Sequence, residues 1–480
     1  MAKRSVFPQR RLVHVILVPG FGAFDALGQV QYYAGITSLF QEWRNHNGLG
    51  RVVLHYFDNL PTASVSSRAA RLRAYLAKRM ARGEIQDGDR IVLVGHSTGG
   101  LDIRRFICDL HRPENKQIPV DDGRRVPAMQ LREAINAVVF LSVPHWGTNI
   151  ADWVCSYQAL SALVVAELRA AVTGSQFYLL DAIESGIVGS AAAVTDAEIL
   201  LALQDALTEA NEHYGKPGPL RTADAQEAAS ELELYFRQMS SDFHVINDLT
   251  SEPHDAEHKS PAHFNDRERK KELALWRHPP INVLSYVTVG SRAFEFPSGH
   301  PAPVWKLENP LDYFEIAKDT ALNRNMDLAY RLCYRVCAGG PFCWPALARQ
   351  NWRVLGEVPP LPLEVWDNDG IVNSASMLWP GGERVLVMAD HLDIVGHYKL
   401  REAPQARHER RRYGVPRRYQ AYDGLQSYPR FTPEMFEQVW TGIFDFAANP
   451  HQLHRSKKTR SKAATRAATA TAVSALVYPG

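Results

Sequence analysis

The sequence predicts an α/β fold with a mostly parallel central sheet and helices on both faces. Three observations carry that expectation. Short apolar runs rich in valine and isoleucine recur at residues 12–18, 52–56, 91–94 and 137–141, the pattern of strands buried on both faces. Segments with helical spacing of apolar residues fall between them, at 69–81 and 101–111, as strand–helix–strand connections require. The stretch Val92-Leu93-Val94-Gly95-His96-Ser97-Thr98-Gly99-Gly100 joins a strand to a helix through G-x-S-x-G.

That third feature also carries chemistry. Ser97 sits where a sharp strand-to-helix turn would expose its hydroxyl, and Gly95 and Gly99 leave room for the turn. A serine hydroxyl needs a base, and the base needs an orienting acid; on such an elbow the order along the chain is serine, acid, histidine. Two late segments supply them in that order: Trp366-Asp367-Asn368-Asp369-Gly370 and Ala389-Asp390-His391-Leu392-Asp393. Asp369 and its neighbour Asp367 both fit the acid, and His391 and His397 both fit the base. An oxyanion would need two backbone N–H donors. Thr98, after the nucleophile, offers one; Phe21, in the glycine-flanked loop Val18-Pro19-Gly20-Phe21-Gly22, offers the other.

Past Trp146 the character changes. Residues 152–238 are rich in alanine and leucine at helical spacing and poor in strand signals, which reads as a helical cap inserted into the sheet domain. The polar segment 252–271 holds His254, His258 and His263 at no recognised ligand spacing and reads as a solvated loop. A strand is expected at 281–289, a helix over 311–336, and a strand at 384–388. Cys333, Cys337 and Cys343 near that helix read as buried thiols rather than metal ligands. Thr432-Pro433-Glu434 opens a last helix running to about 447. The Lys/Arg- and Ala/Thr-rich tail from 451 lacks periodicity and reads as disordered.

Composition narrows the function classes. With 54 basic and 52 acidic residues the charges nearly cancel, which gives no field for a nucleic-acid partner. No apolar run is long enough to span a bilayer. The basic start is followed by a run that is too short for a secretion signal and ends in Pro19-Gly20. Five cysteines, none in a C-x-x-C pair, fit a reducing compartment. A cytoplasmic location is expected, with export by a signal-independent route as the alternative. No metal or cofactor is expected.

Several blocks together resemble bacterial lipases of the α/β-hydrolase superfamily, the large-insert staphylococcal and thermophilic-bacillus type. Pro19-Gly20-Phe21 resembles their oxyanion loop, with proline in place of the usual histidine, and Tyr32-Tyr33-Ala34-Gly35-Ile36 the aromatic-glycine segment that follows. The elbow, the block Leu141-Ser142-Val143-Pro144-His145-Trp146-Gly147-Thr148, the acid motif Asn368 to Asn373 and the histidine motif Asp390 to Asp393 complete the match. The blocks span about 12–150 and 280–398.

The resemblance implies Ser97 as nucleophile, Asp369 as orienting acid, His391 as base, Phe21 and Thr98 N–H groups as the oxyanion hole, a helical lid, and a structural role for His145. That lipase type also carries a zinc site, for which the region around Ser66-Ser67-Arg68 offers no ligand, and a calcium site, for which Asp393 fits one position.

The expected organisation is an α/β-hydrolase core over 1–150 and 281–450, a mainly helical cap or lid over 151–280, and the tail over 451–480. The expected activity is that of a serine carboxylic-ester hydrolase (lipase or esterase) acting on lipid or small ester substrates, with transient contact to a lipid interface. One alternative is a phospholipase, exported without a signal peptide as a toxin or effector. The Arg-rich run at 407–418 motivates it, through attraction to anionic headgroups. The other is an inactive hydrolase-fold binding protein.

Overall fold

Seven strands form one parallel sheet in this computed structural model, which describes residues 11–22, 26–27, 30–47, 51–156, 244–253, 259–290, 337, 353–355, 363, 367–398 and 431–450. They are β1 (Val13–Val18), β2 (Val52–Tyr56), β3 (Arg90–His96), β4 (Ile135–Leu141), β5 (Asn282–Thr288), β6 (Arg353–Leu355) and β7 (Glu383–Val387), in the order β6-β7-β5-β4-β3-β1-β2. Every neighbouring pair is parallel. From β1 the chain steps outward to β2, then returns to place β3 on the other side of β1. The winding therefore reverses between β1 and β3. Loops leaving the C-terminal ends of two such strands diverge and open a crevice. Here those loops carry Pro19-Gly20-Phe21 and Ser97.

The helices are α1 (Ile36–Asn47), α2 (Val65–Ala81), α3 (Thr98–Leu110), α4 (Ala128–Ala134), α5 (Asn149–Ser156), α6 (Val245–Asp248), α7 (Asp266–Leu275) and α8 (Pro433–Ala448). Successive strand residues point to opposite faces, so each strand feeds two cores. Val13, Val15 and Leu17 of β1 pack with Phe40 and Trp43 of α1 and with Val439, Trp440 and Phe444 of α8. Ile16 and Val18 of the same strand pack with Leu72 and Leu76 of α2 and with Ile103, Phe106 and Ile107 of α3. This two-faced burial is why the strands read as unbroken apolar runs.

α8 starts as the sequence led us to expect. The Thr432 hydroxyl caps it by accepting from the Met435 N–H, and Pro433 occupies the first turn. The Trp440 indole N–H donates to the Ile394 carbonyl at 2.8 Å, which ties α8 to the loop after β7.

Other segments differ from expectation. Part of the stretch read as a solvated loop is helix α7. Its start is fixed by a capping box, with Asn265 accepting from the Glu268 N–H and Glu268 accepting from the Asn265 N–H. Its Glu272 is buried and grips Arg104 of α3 with two bonds of 2.7 Å. Arg104 also donates to the carbonyls of His145 and Pro261, so one guanidinium fastens α3, the loop after β4 and the approach to α7. Strand β6 has only three residues, too few for periodicity, and exists through its pairing with β7. α1 was not anticipated either. Most of the helical insert (157–243), His254 and His258, the expected helix at 311–336, Cys333 and Cys343, the 407–418 run and the 451–480 tail lie outside the described residues. Cys337 is buried.

Two stability predictions follow from buried charge. Glu272→Ala leaves the wholly buried Arg104 without its counter-charge, and a loss of about 3–5 kcal/mol is expected, read as a lowered urea midpoint. At the opposite pole of the sheet, His14 Nδ1 lies 2.9 Å from His55 Nε2, and His14 Nε2 lies 3.3 Å from Asp89 Oδ2. Burial, then Arg79, then His14 push His55 down to about 4. An unfolded histidine titrates near ~6.5, so between these values the unfolded chain binds the proton and the folded one does not. Stability should be complete above about 6.5 and fall as the pH drops towards 4. His55→Asn should flatten that slope in pH-dependent melts; an unchanged slope would remove His55 as its source.

Candidate active site

Ser97 follows β3 in a backbone conformation that side chains rarely adopt, with φ 52° and ψ −130°. Such a residue costs on the order of 1–3 kcal/mol unless its surroundings hold it. The surroundings do so by close approach. A Cβ on Gly95 would stand 2.7 Å from Ile103 Cδ1, one on Gly99 would stand 2.3 Å from the Val18 carbonyl oxygen, and one on Gly100 would stand 2.2 Å from Val143 Cγ2. The Ser97 N–H donates to the Leu141 carbonyl at 2.9 Å. Ser97 thus sits at the positive end of α3, where backbone N–H groups lack helical partners.

Asp369 and His391 meet. Asp369 lies in a tight loop before β7, where its Oδ1 accepts from the N–H groups of Ile371 (3.1 Å) and Val372 (2.8 Å). His391 follows β7, in a turn fixed by Asp390 Oδ1, which accepts from the N–H groups of Leu392 and Asp393. His391 Nδ1 is 2.7 Å from Asp369 Oδ2, and the His391 N–H donates to the Asp369 carbonyl. A carboxylate can only accept, so Nδ1 carries the proton and Nε2 presents its lone pair. That is the tautomer a general base needs. Both side chains are buried.

The alternatives fall elsewhere. Asp367 pairs through its backbone carbonyl with the Ser374 N–H, and His397 Nε2 bonds the Tyr32 carbonyl at 2.9 Å. His145 is walled in by Phe140 and Trp379, and burial drives its pKa well down.

A chain of bonds joins the three loops. The Gly20 N–H donates to the Tyr32 hydroxyl (2.7 Å), which bonds His96 Nδ1 (2.7 Å), and His96 Nε2 bonds the His391 carbonyl (2.9 Å). Burial holds the His96 pKa far down, so the ring is neutral, donates from Nε2 and accepts at Nδ1. The His96 and His391 ring centroids are 4.7 Å apart. The Ser97 hydroxyl makes no hydrogen bond to His391 in this conformation.

The loop after β1 lies directly against the serine: a Cβ on Gly20 would stand 2.6 Å from Ser97 Cβ. Arg68 of α2, wholly buried, sets its orientation. Its Nη2 donates to the carbonyls of Pro19 (2.7 Å) and Gly20 (2.9 Å), its Nη1 to that of Leu60, and its Nε to Asp102 of α3. In a trans peptide the C=O and the following N–H point in opposite directions. With the Gly20 carbonyl drawn to Arg68, the Phe21 N–H faces away from Arg68. Asp102 also accepts from Asn59, and burial pushes it up to about 6 against the pull of Arg68.

Sequence reasoning missed Arg68, Asp102, His96 and Tyr32. Arg68 did leave a signal. It stands in register with Val65, Ala69, Leu72 and Leu76, the buried face of α2, and a cation there implies a buried counter-charge.

Asp393 Oδ2 accepts from the Asp390 N–H at 2.9 Å, and among the described residues no three His, Cys, Asp or Glu side chains converge to hold a metal.

Arg68→Met should free the loop after β1 while leaving the elbow in place. Phosphonylation of Ser97 by a fluorophosphonate should slow by about 10²-fold, the usual effect of a misplaced catalytic group. A wild-type labelling rate in folded variant protein would rule out this role for Arg68.

No family model and none of the curated proteins matches the chain. Solved structures do. The chain is similar to EstA from Clostridium botulinum at 17% identity, covering 82% of this chain and 85% of that one, with a TM-score of 0.40. It is similar to Staphylococcus hyicus lipase at 13% identity, covering 96% of this chain and all (100%) of that one, with a TM-score of 0.41. For lipase 1 from Pelosinus fermentans the values are 16%, 80%, 94% and 0.32. Its parallel sheet, its reversal between β1 and β3 and its serine turn after β3 are by themselves the topology of an α/β-hydrolase fold.

Proposed function

We propose that this protein is a serine hydrolase of carboxylic esters, working through Ser97, His391 and Asp369. The observation that carries the reading is the buried 2.7 Å bond between His391 Nδ1 and Asp369 Oδ2, at the same end of the sheet as the strained turn of Ser97. An acid that fixes the histidine tautomer has its use where the other ring nitrogen must take a proton.

The steps follow from that arrangement. His391 Nε2 takes the Ser97 proton as Oγ bonds to the ester carbonyl carbon. The carbonyl π electrons move to oxygen, and the N–H groups of Phe21 and Thr98 stabilise the resulting oxyanion. The oxyanion collapses, the C–O bond to the alcohol breaks, and the His391 imidazolium protonates the leaving oxygen. Water then repeats the sequence on the acyl-enzyme, with His391 again as base, and releases the acid. Asp369 stays ionised throughout and supports the imidazolium.

Lipid esters are the proposed substrate class, met at an interface. Among the described residues no helix is long and apolar enough to cross a membrane.

Hydrolysis of a p-nitrophenyl ester series, short to long acyl, should occur with wild type and fall about 10⁴-fold or more with Ser97→Ala. A long-chain optimum marks a lipase and a short-chain optimum an esterase. Preference for phospholipid vesicles over neutral esters marks the phospholipase. Turnover that survives in Ser97→Ala sinks the reading.

A further inference from the structure

The acid of the site has a partner that the triad does not require. Asp369 Oδ2, which accepts His391 Nδ1–H, also lies 2.7 Å from Thr288 Oγ1 at the C-terminal end of β5. Thr288 Oγ1 in turn lies 2.8 Å from Ser142 Oγ, just past the end of the neighbouring strand β4. Ser142, Thr288 and Asp369 are all wholly buried.

The protons of this cluster can be placed by counting. The carboxylate offers only acceptors, so the Thr288 hydroxyl donates to it. That commits the one Thr288 proton, so between Ser142 and Thr288 the serine donates. Met377 Sδ, 3.3 Å from Thr288 Oγ1, is a weak competing acceptor. With Ile371 and Val372 on Oδ1, the Asp369 carboxylate accepts four hydrogen bonds, and only one of them comes from His391.

Ser142 gives an independent indication. Among the described residues only Ser97 and Ser142 are non-glycine residues with positive φ, and Ser142 stands at 50°. A strained residue persists where its surroundings over-determine it, commonly beside reacting groups. Here the Ser142 N–H is fixed by the Tyr286 carbonyl at 3.1 Å and its hydroxyl by Thr288.

We propose that Thr288, with its proton direction set by Ser142, is a positioning residue that shares Asp369 Oδ2 with His391 and so sets both the angle and the strength of the Asp369–His391 bond. The proposal rests on the triad reading above. Its hydroxyl holds the carboxylate against rotation and draws charge from the oxygen that faces His391. Removing it leaves His391 the only donor on Oδ2. The imidazolium form is then better supported, and His391 stays protonated to a higher pH.

The test compares wild type with Thr288→Val, Thr288→Ser and Ser97→Ala on one p-nitrophenyl ester, reading kcat, KM and the pH dependence of kcat/KM. Thr288→Val keeps the shape and removes the hydroxyl. Its kcat should fall about tenfold, the effect of one hydrogen bond to a charged group, with KM unchanged. The acid limb of its profile should move up by about half a pH unit. Thr288→Ser restores the hydroxyl and should restore both. If Thr288→Val does not fold, as judged by circular dichroism, Thr288→Ala is read in its place. An acid limb that coincides with wild type, or a Thr288→Ser variant as impaired as the hydroxyl-free one, overturns the proposal. Loss of turnover in Ser97→Ala alongside an unmoved Thr288→Val profile rejects only this inference, whereas turnover surviving in Ser97→Ala rejects the triad itself.

Discussion

The candidate site depends on how closely the backbone passes itself around Ser97. The β3–α3 turn, the loop after β1 and the loop after β4 converge there with glycine at each point of contact: Gly99 against Val18 and Pro19, Gly100 against Val143, Gly20 against Ser97. A methyl group at any of these would force backbone or branched side chains apart, because a packed interior has no spare volume to absorb it. The strained serine is the consequence of that convergence. The first two loops start side by side because β1 and β3 are neighbours in the sheet.

Loops of this kind cannot be held by apolar packing alone, because their carbonyls need donors. Buried arginines supply them. Arg68 satisfies carbonyls of the loops after β1 and β2 while paired with Asp102, Arg104 joins three separate segments around Glu272, and Arg132 donates to the carbonyls of Leu275 and Pro279 ahead of β5. Burial lowers Arg132 to about 10, still far above neutrality, so its charge persists inside the fold. The planar five-donor fork suits this work in a way that a lysine ammonium does not. Each of these arginines links elements distant in the sequence, so the desolvation cost of the charge is offset by fixing loops that would otherwise be independent.

Much of this was legible in the chain. The apolar runs located six strands of the sheet to within one or two residues at each end, because two-sided burial makes such strands continuous in sequence. Thr432-Pro433-Glu434 located the start of α8, because capping is local chemistry. The elbow announced itself through Gly95, Ser97 and Gly99, since the turn admits few residue types. β6 was not legible, because three residues carry no period, nor was the fold of the segment containing α7. Its charged residues look solvated in sequence, and only Arg104, 168 positions away, makes Glu272 a buried residue.

The sequence by itself determined the kind of fold, the serine on its turn, and a candidate acid and base in chain order. Those properties rest on local periodicity, turn sterics and residue type. The tertiary structure decided that Asp369 rather than Asp367 meets His391, that His397 instead holds the Tyr32 carbonyl, that Arg68 orients the loop beside Ser97, and that Thr288 reaches Asp369. Neighbouring positions such as 367 and 369 carry the same side chain and differ only in the direction the backbone gives it. A hydrogen bond forms only within a few tenths of an ångström and a narrow angle, so partners separated by tens or hundreds of residues are chosen by how whole strands and helices pack.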